Sequence, residues 1–184
     1  MRQRSRTVML LLVATPILAA CPAPEEPPPV DPDLPGPPAP PPDMALPDTT
    51  GEAVWEYLQA ADYPQWRLWP GTTALEGGTE PHGVLLNTHL NETALAGLAR
   101  PDTPLPDGSI IVKESYDADT TLVDITVMYV VDGYNPRHAD LFWARYAPDG
   151  QVELEGRVAM CQDCHQTAPR HYLMTHVEPR PPEP

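Results

Sequence analysis

The segment Cys161-Gln162-Asp163-Cys164-His165 puts two thiols and an imidazole within five positions. Sulfurs separated by two residues can reach the edge of one porphyrin and add across its two vinyl groups. The histidine that follows then lies beneath the iron and offers a ring nitrogen as an axial ligand. A structural zinc site would need four ligands, and the chain has no second cysteine pair. A redox Cys-x-x-Cys needs no following histidine and belongs to a thioredoxin-like pattern that is missing here. A disulfide between the two cysteines stays open in an oxidising compartment. The reading carried forward is haem c, attached covalently at Cys161 and Cys164, with His165 as the iron's axial ligand.

Export is what such a group requires, and the N-terminus is built for it. Arg2, Arg4 and Arg6 precede an apolar run, Val8 to Ala14, that continues past Pro16 to Leu18 and closes on Ala19 and Ala20. Residues 1–20 read as a secretory signal peptide, too short for a membrane span. Leu18-Ala19-Ala20-Cys21 resembles the bacterial lipobox, in which the cysteine becomes the lipidated N-terminus. An ordinary secreted protein with one odd cysteine is the alternative. The three cysteines divide without remainder into one for lipid and two for haem. Several acyl chains anchor a protein stably where one does not. The expected location is the bacterial cell envelope, on the membrane through the lipid and facing the periplasm or the exterior. Losing residues 1–20 removes three arginines and no acidic residue, which takes the formal charge from −15 to −18. That charge argues against nucleic acid as a partner and suits a cationic redox partner protein.

Residues 21–48 form a lipid-anchored, proline-rich linker. Pro22 to Pro47 cannot pack a core, and at about 3.1 Å per residue the stretch spans roughly 80 Å as a polyproline stalk. Residues 179–184 are a disordered tail. Residues 49–178 are left as the folded haem domain. A helix starts near Thr50, its candidate N-cap, and buries Val54, Tyr57, Leu58 and Ala61 before Pro64. Tyr63, Trp66, Leu68 and Trp69 are an aromatic segment for core or haem-edge packing. Strands are expected at 83–91, 109–116, 122–131, 141–146 and 151–157, with a short helix from Glu92 to Leu98. Alternation puts Lys113 on the face of Ile111, opposite Ile110 and Val112. It groups Val123, Ile125, Val127, Tyr129 and Val131 on one face of the third strand. The fold class is α+β: an antiparallel sheet-rich domain with flanking helices, expected to one side, and a C-terminal haem segment.

This order is unlike that of helical electron-transfer cytochromes c, which carry the Cys-x-x-Cys-His near their start and a methionine ligand well downstream. Met174 is the only methionine after His165, and no spacing singles it out. The succession of Pro106-Asp107-Gly108-Ser109-Ile110-Ile111-Val112-Lys113-Glu114, Val127-Met128-Tyr129, Asp140-Leu141-Phe142-Trp143-Ala144 and Cys161-x-x-Cys164-His165 resembles the cytochrome P-460 family, which includes the cytochromes c′-beta. The likeness covers most of residues 50–176. It implies a sheet-rich α+β fold, a homodimer, and a haem that is five-coordinate through His165 with an open distal face.

The resemblance also implies roles for particular residues. Lys113, the only lysine beside ten arginines, matches the family lysine that is bonded to a haem meso carbon in the hydroxylamine-oxidising members. An amine can become a nucleophile where a guanidinium cannot. An ion pair with a propionate is the other use for that side chain. Leu86 falls where those members place a distal arginine, and an apolar residue there suits nitric oxide better than a polar substrate. His82 and Glu114 are further candidates for the distal pocket, although Glu114 belongs to the strand face opposite Lys113. His89 lies near Leu86 on the 83–91 strand, and His138, His171 and His176 fit no pattern. Three functions follow: hydroxylamine oxidation, non-enzymatic nitric oxide binding of the c′-beta kind, and six-coordinate electron transfer with a methionine or histidine as the second ligand.

Overall fold

Ile125, Val127 and Tyr129 are buried on one face of a nine-residue strand, and Asp124, Thr126 and Met128 alternate onto the other. That strand is the middle of the sheet in the computed structural model, which describes residues 44–100, 102–168 and 172–174, all within the unit Pro35–Pro184. The signal peptide, Cys21, most of the linker and the C-terminal tail lie outside these residues.

The strands are β1 (Arg67–Leu68), β2 (Glu76–Gly77), β3 (Leu85–Leu90), β4 (Ile110–Tyr116), β5 (Leu122–Val130), β6 (Leu141–Tyr146) and β7 (Val152–Gly156). They form one antiparallel sheet in the order β1-β3-β4-β5-β6-β7, with β2 also paired to β3. Among the described residues three α-helices accompany them: α1 (Gly51–Ala60), α2 (Glu92–Leu98) and α3 (Ala159–His165). The architecture is therefore α+β, as read from the sequence. Among the described residues no helix is long and apolar enough to cross a membrane.

The helices do not lie to one side. Val54 and Leu58 of α1 bury against Ile110, Val112, Ile125, Val127, Phe142 and Tyr146 on one face. Ala94 of α2 and, beside α3, Val158 pack with Leu90, Ile111, Leu141 and Trp143 on the other. Both faces need cover because the central strands are apolar on both, and a single layer of helices would leave one of them wet. Val123 is also displaced from its expected face and is 47% exposed. The register shifts at Ser115/Tyr116, where Tyr116 pairs with Leu122, so Val123 is the extra residue of a bulge and alternation restarts after it.

Thr50 caps α1, its hydroxyl accepting from the Ala53 amide at 3.2 Å, and the Glu155 carboxylate of β7 accepts from the Gly51 amide. Residues read as the end of the stalk already touch the domain, since the Tyr129 hydroxyl donates to the Pro47 carbonyl at 3.2 Å. Asn91 does more than cap α2. Its Oδ1 accepts from Ala94 at 2.9 Å and Ile110 at 3.0 Å, and its amide donates to Gly108 at 2.8 Å. Asn91→Ala therefore removes a cap and strands two buried backbone groups at the start of β4. The expected cost is about 3 kcal/mol, seen as a lower urea midpoint with an unchanged slope.

Candidate haem-binding cavity

On α3, Cys161, Cys164 and His165 stand at i, i+3 and i+4, so one helix face carries both thiols and the imidazole. That face turns to the sheet. Both cysteines are free, Cys161 half-buried and Cys164 exposed, and both line a cavity of about 200 Å³. The wall opposite is the sheet face carrying Leu86, Thr88, Ile111, Lys113, Thr126, Met128 and Trp143. Apolar residues dominate this lining, as a flat organic group requires.

His165 is 6% exposed, and its Nδ1 lies 2.7 Å from the Tyr172 carbonyl. A carbonyl only accepts, so Nδ1 carries the hydrogen. In the neutral ring Nε2 then holds the lone pair that a metal needs. The Trp143 ring packs against this imidazole with centroids 4.8 Å apart. Tyr172 sits at φ +66° and is held from behind, its hydroxyl 3.0 Å from Nδ1 of His138. His138 is thus half-buried and tied to the site's supports.

These residues fit a haem c. Two thiols on one helix face match two vinyl groups, one histidine presents the right tautomer, and the lining is apolar. Trp143 Nε1 and Asp124 Oδ1, both buried in this lining, have no hydrogen-bond partner among the described residues. Among the described residues no cluster of three or more His, Cys, Asp or Glu could hold a metal by protein ligands alone.

Lys113 lies in a cross-strand row with Thr88 on β3, Thr126 on β5 and then Arg145 on β6. Burial lowers its amine below the ordinary lysine range, and the Cys164 thiol nearby acts in the opposite direction. Burial raises the Cys161 thiol; Arg145 opposes that shift. Arg145 lines the cavity, with Nη2 at 3.1 Å from the buried Asp124 carboxylate and Nε at 2.9 Å from Glu153.

The structure brings Cys161, Cys164, His165, Lys113, Leu86 and His82 to one cavity, along with Trp69 and Met174. Glu114 is placed elsewhere. It points to the other sheet face, where its carboxylate accepts from Tyr63 at 3.0 Å, Asn87 at 2.9 Å and Tyr116 at 2.7 Å, and faces His89 Nε2 at 3.3 Å. A distal-pocket role for Glu114 is corrected accordingly: neighbours on a strand point to opposite faces, and Lys113 takes the cavity side. His89 belongs to the same cluster. Sequence reasoning missed Asp124, Arg145, Trp143 and Tyr172. The first two had a signal, since charged residues inside apolar strands, on the face of Lys113, call for a polar site.

No protein-family model matches the chain, and no curated protein matches it.

Proposed function

We propose that the chain is an exported c-type haem protein. Within that class it is of the cytochrome P-460 type and acts on a small nitrogen species, hydroxylamine or nitric oxide. The observation that carries this reading is the convergence of both thiols, the oriented His165 and the only lysine on a single apolar cavity. Cys161 and Cys164 tether the ring, and the Tyr172 carbonyl holds His165 in the tautomer that can ligate. Lys113 meets the ring as an amine whose burial favours the neutral, nucleophilic form. Leu86 and Ile111 exclude water, and the Asp124–Arg145 pair supplies the polar part of the wall. Haem c bound here supplies an iron for the small ligand and a path for electrons to an external acceptor. Lipid at Cys21 would keep the domain at the membrane, within reach of a redox partner.

The test is the full chain matured by a haem c assembly system, given hydroxylamine and a dye acceptor. Dye reduction is expected; an inert ferric site would sink the enzymatic reading, and nitric oxide binding without turnover would leave the c′-beta reading. A bond from Lys113 to a meso carbon replaces one N–H and one C–H with loss of two protons and two electrons, so it needs a two-electron oxidant such as a peroxide. With that oxidant present the expected result is a ferrous Soret band far to the red and a Lys113 peptide carrying the porphyrin mass. Lys113→Arg should return the band to that of ordinary haem c and abolish dye reduction while nitric oxide still binds.

A further inference from the structure

A tight turn carries His82 into the cavity. The Gly78 amide donates to the Val84 carbonyl at 2.8 Å, and the His82 amide to the Thr79 carbonyl at 3.0 Å. The loop closes so tightly that a Cβ on Gly78 would meet the Gly83 carbonyl at 2.4 Å. Gly83 itself sits at φ +80°, where a Cβ would be 3.0 Å from the Tyr116 carbonyl. The turn is therefore pinned to the end of β4, which gives His82 a defined place on the cavity wall.

That place stands in a specific relation to His165. The two ring centroids are 6.1 Å apart, with the ring planes at 84°. The Trp143 ring, packed directly on His165, is at 4.8 Å. Two imidazoles on opposite sides of one metal ion, each nitrogen about 2.0 Å from the metal and about 1.1 Å from its own ring centre, have centroids roughly 6.3 Å apart. The 6.1 Å between His82 and His165 is close to that value, and perpendicular planes are compatible with it. Both rings line a single cavity, on segments that meet only in the fold.

We propose that His82 is the second axial ligand of the iron, so that the resting haem is six-coordinate between His165 and His82. The proposal rests on the haem reading above and departs from the five-coordinate state that the resemblance implies. The small nitrogen species reaches the iron by displacing the His82 side chain. The exchange is a ligand substitution, with the imidazole lone pair leaving and that of the incoming ligand arriving, and no electron is transferred.

The experiment uses the full chain, exported and matured with haem c, in the ferric state at pH 7. The wild type should be low-spin by optical and electron paramagnetic resonance spectra. His82→Ala should be high-spin, and imidazole added to that variant should restore the low-spin form. Carbon monoxide, as a probe of the ferrous site, should bind His82→Ala at least tenfold faster than wild type. A high-spin wild-type ferric haem overturns the proposal without needing any variant, as does a low-spin spectrum that survives His82→Ala. Wild-type protein that carries no haem overturns the underlying reading as well, and its lack of colour sets that failure apart.

Discussion

Cys161→Ala combined with Cys164→Ala, in a Lys113→Arg background that forms no lysine–porphyrin bond, is expected to yield exported protein from which acidified acetone extracts any haem present, leaving the polypeptide colourless and at its haem-free mass. The wild type should keep its colour through the same treatment. The two thiols stand one helical turn apart and face one cavity, so either alone can hold a ring by a single bond. Each single variant should therefore stay coloured, with one thioether in place of two. The alternative of a disulfide between them gives the opposite pattern: the wild type would be colourless and lighter by two hydrogens than its reduced form. Intact mass distinguishes the two in one measurement. With Lys113 replaced, the two thiols are the only covalent means of attachment left, so the effect is all or none.

Glu114 should dominate the acid stability of the domain. The residue is 7% exposed, and its carboxylate is surrounded by the Tyr63 and Tyr116 hydroxyls, the Asn87 amide and the His89 ring. Burial alone would raise its carboxyl. Hydrogen bonds with His89, Asn87 and Tyr116, together with the nearby His89 charge, outweigh burial and hold it at about 2, against an ordinary 4.5. A depressed carboxylate contributes stability that is fully present above the unfolded value and is lost as pH falls from about 4.5 toward about 2. The difference is worth about 3 kcal/mol. Urea midpoints measured from pH 6 to pH 2 should fall steeply for wild type in that window and much less for Glu114→Gln. Glu114→Ala also leaves the His89 ring and two tyrosine hydroxyls without their acceptor, and should cost about 3–5 kcal/mol at neutral pH.

Much of this domain was legible from spacing. The β6 limits, the Thr50 cap and the side of Lys113 follow from alternation, capping chemistry and turn residues, which act within a few positions. The misses share a cause. β1 and β2 are two residues each, too short to show a period, and exist because they pair with β3. Val123 departs from its face because of a bulge set by pairing with β4. The Tyr172 carbonyl under His165, the Asp124–Arg145 pair in the cavity wall and the four partners of Glu114 are contacts between segments distant in sequence, and no local pattern encodes them. The thiols, the imidazole and the lysine were visible because their chemistry restricts residue type; their common cavity became visible only in the fold.

Lys113 and Glu114 are adjacent in β4 and are served by opposite sides of the sheet, one by the cavity and the other by a carboxylate-centred cluster. A slip of β4 by a single position would send an anion into the apolar cavity and an ammonium among Tyr63, Asn87 and His89, so both errors would be penalised at once. The pair thus indexes the strand during folding as well as serving two sites, and the misaligned sheet has no half-correct form in which to linger.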